Sequence, residues 1–394
     1  MVVQEAESTN TFFALLRSGL YGTPIPTAEL PESIDWKTTI SLARKHTVLG
    51  IIIDSIQYLP ENLRPSSSIS ARLGNFALAI MQANMIVDKS AARLVAFFKG
   101  HGIEGVLLKG QGVARYYRVP QLRQSGDIDF YVGIGPYEKS IELSKAHLIT
   151  EPQKSTQNQE EFAFYMDNVV VELHRVATIL FSPIRRKRFQ KWIVEELEQS
   201  PKRRTLKIGS AEITLPSYDF DAIFVFYHAW RHYVMEGIGL RQLCDWTMIF
   251  RSHSSDIDPE RLTENLRRFG LTKPWKLFAC IAVNYLGLQA DLMPLYDPSY
   301  SKKAEKILKK IVEEGNFGRY SEDYDAVWAR GSGFWHAFST VRVIAGYSAK
   351  LMPIMPFEAI ALFFNYLVYG ALNITKQTAK HIRRSHDTKK QSLS

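Results

Sequence analysis

Residues 107–132, LLKGQGVARYYRVPQLRQSGDIDFYV, contain the pattern that decides the fold. One apolar run ends at Lys109 and Gly110, and a second begins with Asp127 and Asp129 on either side of an isoleucine. In a β-strand, successive side chains alternate between the two faces and each residue advances about 3.3 Å. The two aspartates are therefore expected to project from one face of a strand, with Cα atoms about 6–7 Å apart. Carboxylates this close repel each other unless a cation lies between them.

A divalent cation is the simplest candidate for that position. Mg²⁺ prefers oxygen ligands and shares its coordination shell with substrate phosphates, and Mn²⁺ accepts similar ligands. Two such ions about 3.5–4 Å apart can hold the attacking and leaving oxygens of a phosphoryl transfer. A third carboxylate is expected on a neighbouring strand, and Glu172 in VVVELHR is predicted to supply it. His174 lies two residues further on and shares its face, where we expect it to orient Glu172 or to pack.

The segment before the aspartates predicts a phosphate site. An apolar strand ends at LLKG, and a helix that begins there would direct backbone N–H groups at a bound anion. Lys109 would add a positive charge, and Gly110 would let phosphate approach the backbone closely. Arg123 could bind phosphate with two N–H groups, or it could be an ordinary loop arginine.

The spacing of apolar residues predicts the element order along the chain. Residues 1–84 are mainly helical, and LLKG, DIDFYV and FAFYMDNVVVELHR predict strands, the last as a hairpin that turns at Asp167 and Asn168. Helices return after Pro216, with no internal repeat. The predicted class is α+β, a small mixed sheet with helices between N-terminal and C-terminal helical regions. Four domains are predicted: an N-terminal helical region at residues 1–84, a catalytic core at 85–215, a C-terminal helical domain at 216–375 and a basic, disordered tail at 376–394.

Composition indicates a globular protein whose cysteines are reduced. The 394 residues are 46% hydrophobic and 23% charged, enough for two or three domains. Cys244 and Cys280 lack CxxC spacing and are expected to be packed thiols of a cytoplasmic protein. Two early glutamates and no basic segment at the N-terminus make a secretory signal unexpected.

The formal charge of +9 is concentrated at the C-terminus. From Lys376 onward there are four lysines and two arginines against one aspartate, which predicts a solvated tail and leaves RNA or acidic lipid as possible partners. The apolar segment 351–374 is interrupted by prolines, Glu358 and Asn365, so a spanning helix is not expected. A buried helix is favoured, and a helix lying on the membrane surface is the alternative. The clusters RRKR (185–188) and KRR (202–204) weakly favour RNA as an acceptor.

Several motifs together resemble a known family. They are VLLKG, Arg123 ahead of Gly126 in LRQSGDID, the Glu172-Leu173-His174 triplet, and the later stretch YHAWRHYVMEGIGLRQLCDW with His228, Arg241 and Asp245. The chain resembles the nucleotidyltransferase superfamily with the DNA polymerase β-like catalytic fold. More narrowly, it is similar to a little-characterised bacterial family within that superfamily.

The resemblance implies transfer of a nucleoside monophosphate from an NTP such as ATP to an unidentified hydroxyl or phosphate, with Mg²⁺. It implies catalytic and metal-binding roles for Asp127, Asp129 and Glu172. It also implies nucleotide-binding roles for Lys109, Gly110, Gln111, Arg123, Gly126, His174 and Arg241. Gln111 departs from the superfamily, which commonly has serine or glycine there. The missing hydroxyl motivates an alternative, a catalytically degenerate nucleotide sensor or scaffold.

Two pairs on the later helices have simpler interpretations. His228 and His232 are four residues apart, as in some zinc sites, but no HExxH pattern accompanies them, so packing and hydrogen bonding are predicted. Arg241 and Asp245 are also four apart, and an ion pair within one helix is predicted. Arg241 would reach phosphate if the helical domain closed over the sheet.

Overall fold

A computed structural model of the chain describes residues 2–158, 160–316 and 334–367, without the side chains of 2–8 and 334–340. The described residues form two compact units, one of residues 2–179 and 188–316 and one of 180–187 and 334–367. The predicted disordered tail at 376–394 lies outside the described residues. The other predicted domain boundaries stay predictions, and one helix continues through residue 84.

The N-terminal region is helical, as predicted. Asp35 begins the second helix by accepting a hydrogen bond from the backbone N–H of Thr38, which satisfies one of the free donors at that end. The fourth helix has 34 residues and provides a long support for the sheet. The helices are α1 (Val2–Tyr21), α2 (Trp36–Lys45), α3 (Leu49–Ser55) and α4 (Ser67–Gly100).

A five-stranded mixed sheet follows. Its strand order is β1-β2-β5-β4-β3, with β2 and β5 parallel and the other neighbours antiparallel. The predicted hairpin is confirmed, and its turn has φ of 51° at Asp167 and 63° at Asn168, values that these two residue types tolerate. The elements are β1 (Val106–Leu108), α5 (Gly110–Ala114), β2 (Ile128–Tyr131), α6 (Tyr137–His147), β3 (Thr156–Gln157), β4 (Glu161–Met166) and β5 (Val169–His174).

The two faces of the sheet have opposite character. On one face, alternate strand residues such as Phe130, Phe164 and Leu173 join a core that includes Leu94 and Phe98 of α4. The other face therefore presents the intervening residues of β2 and β5, which include the acidic side chains. Alternation along two strands thus separates the hydrophobic core from the candidate site.

The rest of the chain is mainly helical, and the predicted α+β class is confirmed. Trp230, Trp246 and Trp275 are almost fully buried and pack edge-to-face or tilted with neighbouring aromatic rings. The elements are α7 (Pro183–Val194), β6 (Arg204–Ile208), β7 (Ala211–Leu215), α8 (Tyr218–Met235), α9 (Leu240–His253), α10 (Pro259–Phe269), α11 (Thr272–Asn284), α12 (Ser301–Glu314) and α13 (Phe334–Leu351).

The prediction about the C-terminal segment holds only in part. Residues 356–367 are helical, and Ala359 and Leu362 are fully buried, whereas Phe357 is 64% and Phe364 is 59% exposed. In the described part of the chain, no helix has both the length and the apolar character that crossing a bilayer requires.

Candidate active site

The parallel pairing of β2 and β5 brings three potential ligands together. Asp129 and Glu172 are register partners across these strands, so their side chains project from the same face. His174 follows two residues later on β5 and projects there too. Ligand atoms of the three residues lie within 4.8 Å of one another. The sheet itself therefore assembles a cluster of two carboxylates and an imidazole.

Asp129 is the most enclosed member of the cluster. Its side chain is 1% exposed, and Oδ1 lies 2.9 Å from Lys109 Nζ and 3.0 Å from His174 Nε2. Its Oδ2 atom is buried and has no hydrogen-bond partner among the described residues. Burial opposes the charge of this carboxylate, but Lys109 and His174 outweigh it and lower its pKa. Asp129 is therefore ionised and has one acceptor oxygen free for a ligand.

Glu172 has the opposite electrostatic character. Burial, followed by the charges of Asp129, Asp127 and Glu161, raises its pKa to about 10. Its side chain is 23% exposed, which makes it the most accessible of the three. Without a nearby ion this carboxyl group retains a proton at neutral pH, and a divalent cation would favour its ionised form.

Lys109 contributes the positive charge of the site. It follows β1 with a φ of 49°, a conformation that L-residues rarely adopt, and its ammonium group reaches both Asp129 and His228. The distance from Lys109 Nζ to His228 Nε2 is 3.0 Å. Burial, followed by the charge of Lys109, lowers the pKa of His228 well below its usual value, so this imidazole is neutral. The predicted packing and hydrogen-bonding role of His228 is confirmed.

Asp127 lies outside the ligand cluster that contains Asp129, the residue with which it was expected to share a metal ion. It immediately precedes β2, is half-buried and lies outside the group of ligand atoms within 4.8 Å, where His174 stands instead. Its charge still contributes to the raised pKa values of Glu172 and Lys109. Asp127 thus belongs to the electrostatic environment of the cluster, and its role as a metal ligand stays a prediction.

The segment before Asp127 is tied to α9. The buried guanidinium of Arg123 donates from Nε and Nη2 to the two oxygens of Asp245, at 2.7 Å each. The predicted ion pair between Arg241 and Asp245 is therefore wrong, because Asp245 already pairs with Arg123. Arg241 instead donates from Nη1 to the carbonyl of Gln124 at 2.7 Å. A Cβ atom at Gly126 would lie 3.6 Å from the Arg241 guanidinium, so Arg241 lies against the segment that carries Asp127. Its predicted contact with phosphate stays a prediction.

The helix predicted after LLKG is present but short. Helix α5 has five residues, and Gly110 at its start has a φ of 40°, which favours glycine. Gln111 is buried and donates from its amide to Asp88 on α4. The nucleotide-binding roles of Gly110 and Gln111 stay predictions.

Some contacts of the site were not predicted. Glu161 on β4 is the register partner of His174, and its Oε2 lies 3.5 Å from His174 Nδ1. Tyr117 donates to Asp245 at 2.7 Å beside Arg123. The alternation of β4 was a usable signal for Glu161, whereas nothing in the sequence relates Tyr117 to a residue 128 positions later.

The cluster fits a divalent cation. It offers two carboxylates and an imidazole, one buried carboxylate oxygen without a partner, and a second carboxyl group whose ionisation a cation would favour. Mg²⁺ and Mn²⁺ prefer the carboxylates, and imidazole is a common ligand of transition metals. Asp129, Glu172 and His174 are therefore the residues that would hold such an ion.

A small mixed sheet with acidic residues on neighbouring strands is the arrangement that the resemblance to nucleotidyltransferases led us to expect. The family described as uncharacterised nucleotidyltransferase matches residues 32–287, which is more than half of the chain. The chain therefore belongs to that family, and the predicted resemblance is confirmed.

Other comparisons add little to this assignment. The crystal structure of an antigenic nucleotidyltransferase-like protein from Paracoccidioides brasiliensis is similar over 51% of this chain and 92% of its own, with 12% identity and a TM-score of 0.30. Among curated proteins, no sequence matches this chain.

Proposed function

We propose that this protein is a divalent-metal-dependent nucleotidyltransferase. It would transfer a nucleoside monophosphate from an NTP to an acceptor hydroxyl or phosphate. The acceptor oxygen would attack the α-phosphorus, and pyrophosphate would leave. A bound metal ion would supply stabilisation of the charge that develops on the phosphate oxygens.

One observation carries the proposal. Asp129 and Glu172 face each other in register on parallel strands, and His174 completes a group whose ligand atoms lie within 4.8 Å. Buried acidic groups held this close destabilise a fold unless a positive charge compensates them. In a chain of a nucleotidyltransferase family, a divalent cation that also binds the nucleotide phosphates is the compensating ligand that fits best.

The chain's own residues have distinct proposed roles. Asp129, ionised and rigidly held, would be the principal ligand, with Asp127 beside it. Glu172, the most accessible acid, would be a further ligand or would accept the proton of an incoming hydroxyl. When a metal ion binds Asp129, the ammonium group of Lys109 would exchange its ion pair with Asp129 for one with a substrate phosphate. Arg241 would hold the segment before Asp127 in place.

The direct test is a transfer assay with a matched control. The purified chain is incubated with each NTP labelled at the α-phosphate, with Mg²⁺ or Mn²⁺, alone and with a cell extract. We expect metal-dependent label transfer that falls at least about 100-fold in Asp129→Asn, because a metal ligand contributes several kcal/mol to charge stabilisation.

The control is Asp167→Asn, the same chemical change at the exposed hairpin turn of the same sheet. It should retain full transfer. If no nucleotide shows metal-dependent binding or transfer, or if both variants behave alike, the transferase proposal is wrong.

A second candidate is a nucleotide sensor without turnover. The observation that favours it is the closure of the site, in which Lys109 is 14% and His174 is 7% exposed and Lys109 already pairs with Asp129. Calorimetry distinguishes the two candidates. Nucleotide binding without transfer to any acceptor in the extract supports the sensor.

The basic clusters give limited support for RNA as the acceptor. Arg186 donates to backbone carbonyls of residues 180 and 181, and Arg204 pairs with Asp221. Lys202 pairs with Asp219. Because internal contacts use these cations, the proposal specifies a hydroxyl or phosphate acceptor without choosing RNA.

A further inference from the structure

The helical segment 356–367 has its polar side chains turned inward. Glu358 is 1% exposed, and its Oε2 accepts hydrogen bonds from the backbone N–H groups of Phe181 at 2.7 Å and Ser182 at 3.0 Å. Asn365 donates from Nδ2 to the carbonyl of Phe181 at 3.0 Å. These contacts fix the rotation of the helix about its own axis, with its two polar anchors facing residues 181–182.

The opposite side of the same helix is apolar and exposed. Phe357, Ile360, Phe364 and Leu367 are 64%, 46%, 59% and 37% exposed, and we call them the outer apolar face. Their spacing of three, four and three residues places them on one side of an α-helix. Residues 351–367 contain one charged residue, the inward-facing Glu358, so the outer apolar face carries no charge.

This helix buries Ala359 and Leu362 on its inner side, but it leaves the outer apolar face exposed. An amphipathic helix normally buries its apolar stripe and exposes its polar residues. Water-exposed phenylalanines forgo the hydrophobic stabilisation that burial of each ring would provide, and large apolar patches typically mark interaction sites. The contacts of Glu358 and Asn365 hold the outer apolar face on the exposed side of the helix, as an interaction site requires.

The charges around this helix indicate the nature of that partner. Among residues 180–187 and 334–367, Arg185, Lys187, Arg342 and Lys350 are basic, as is Arg186, whose guanidinium donates to backbone carbonyls. Glu358 is the single acid, and its Oε1 lies 3.8 Å from Arg185 Nη1. The guanidinium carbon of Arg185 lies 5.1 Å over the ring of Phe357, directly at the outer apolar face. By sequence, six basic residues and one acid follow from residue 376 onward. An uncharged apolar face with Arg185 at its edge, in a segment whose charges are mostly basic, complements an anionic lipid surface.

We propose that the helix over residues 356–367 docks on an anionic membrane surface. The outer apolar face inserts at the boundary between headgroups and acyl chains, and Arg185 and the other basic residues of this segment attract acidic headgroups. This inference rests on residues outside the candidate active site and does not depend on the transferase proposal.

Sedimentation with lipid vesicles tests the proposal on the full chain. Vesicles of phosphatidylcholine are compared with vesicles that also contain phosphatidylglycerol, at low and high salt. We expect binding to the acidic vesicles, weaker binding to the neutral ones, and a loss of binding as salt screens the charges. A protein that stays in the supernatant with acidic vesicles, or that sediments equally with both kinds, overturns the proposal.

A pair of variants tests the role of the helix itself. Phe357→Gln with Phe364→Gln removes apolar area without adding charge, and we expect the affinity for acidic vesicles to fall at least tenfold. The matched control is Leu78→Gln with Met85→Gln on α4, two side chains that are 58% and 67% exposed. Both double variants should keep the melting temperature of the unsubstituted chain, because the replaced side chains are largely exposed.

Two further outcomes reject membrane docking. If both double variants sediment with acidic vesicles as well as the unsubstituted chain does, the outer apolar face is not the lipid contact. If the chain is dimeric without lipid and the phenylalanine variant is monomeric, the face is an interface between two copies. If the variants do not fold, the dependence of vesicle binding by the unsubstituted chain on lipid composition and salt still tests the proposal.

Discussion

The carboxyl group of Glu172 lies where burial and three neighbouring acids act together, which raises its pKa to about 10 from an ordinary value of 4.5. In the folded chain it therefore holds a proton that the unfolded chain releases above pH 4.5. Because the folded state binds more protons in this range, the free energy of unfolding falls as the pH rises from 4.5 toward 10. A divalent cation at Asp129 and Glu172 would offset this loss.

We predict that Glu172→Gln removes this pH dependence. Without metal, the variant should unfold at a higher temperature than the unsubstituted chain at pH 8, by about 2–4 °C for each kcal/mol recovered. Mn²⁺ should raise the melting temperature of the unsubstituted chain but not that of the variant. Thermal unfolding between pH 6 and pH 9 measures both effects.

Glu212→Gln is the control, because this glutamate is 59% exposed on β7. It should leave the slope with pH unchanged. An equal slope in Glu172→Gln and in the control would show that Glu172 is not the group responsible.

The segment between α5 and β2 depends on two helices for its position. Asn84 on α4 donates from Nδ2 to the carbonyls of Gln121 and Arg123, at 2.8 Å each. Helix α9 holds the same segment through Asp245 and Arg241. Asp127 lies at the end of this segment, just before β2, so α4 and α9 together determine where its carboxylate lies.

Breaking the ion pair between Arg123 and Asp245 should destabilise the whole unit. We expect Asp245→Leu to lower the free energy of unfolding by about 3–5 kcal/mol, because the buried guanidinium loses its counter-charge. The double variant Arg123→Met with Asp245→Leu should recover much of this loss. Urea unfolding measures all three proteins.

An exposed ion pair provides the comparison. Arg93 and Asp167 are 49% and 41% exposed, so Asp167→Asn should change stability by less than about 1 kcal/mol. If Asp245→Leu were as mild as this variant, the Arg123 pair would not be a determinant of the fold.

His46 makes the free energy of unfolding of the first unit depend on pH in the acidic range. It follows α2 directly, and its side chain is fully buried; burial, followed by the charge of Lys45, lowers its pKa to about 4 from 6.5. The unfolded chain therefore binds a proton below pH 6.5 that the folded chain takes up only near pH 4. We predict that the free energy of unfolding decreases by up to about 3 kcal/mol as the pH is lowered from 6.5 to 4.

The measurement is urea unfolding at a series of pH values for the unsubstituted chain, His46→Gln and His147→Gln. The His46 variant should lose most of the pH dependence between 6.5 and 4. His147 is exposed on α6, and its replacement should preserve that dependence. The opposite pattern would contradict this account.

Much of the sheet was predictable because its signals are local. Alternation along DIDFYV and VVVELH decides which side chains of each strand share a face, so Asp129 and Glu172 could each be assigned to a polar strand face from the sequence. The Asp167–Asn168 turn followed from the conformations that these residues tolerate. The exposure of Phe357 was not predictable, since its apolar segment suits a core as well as a lipid surface.

The sequence by itself determined β1, β2 and the β4–β5 hairpin, the α+β class and the acidic residues Asp129 and Glu172, because strand alternation and turn preferences act between near neighbours in the chain. Only the tertiary structure decided that His174 stands beside Asp129 and Glu172 in place of Asp127, and that Asp245 pairs with Arg123 rather than Arg241. These outcomes depend on contacts between residues far apart in sequence. Such contacts form only when the strand order and the docking of α9 are fixed, and no local pattern encodes them.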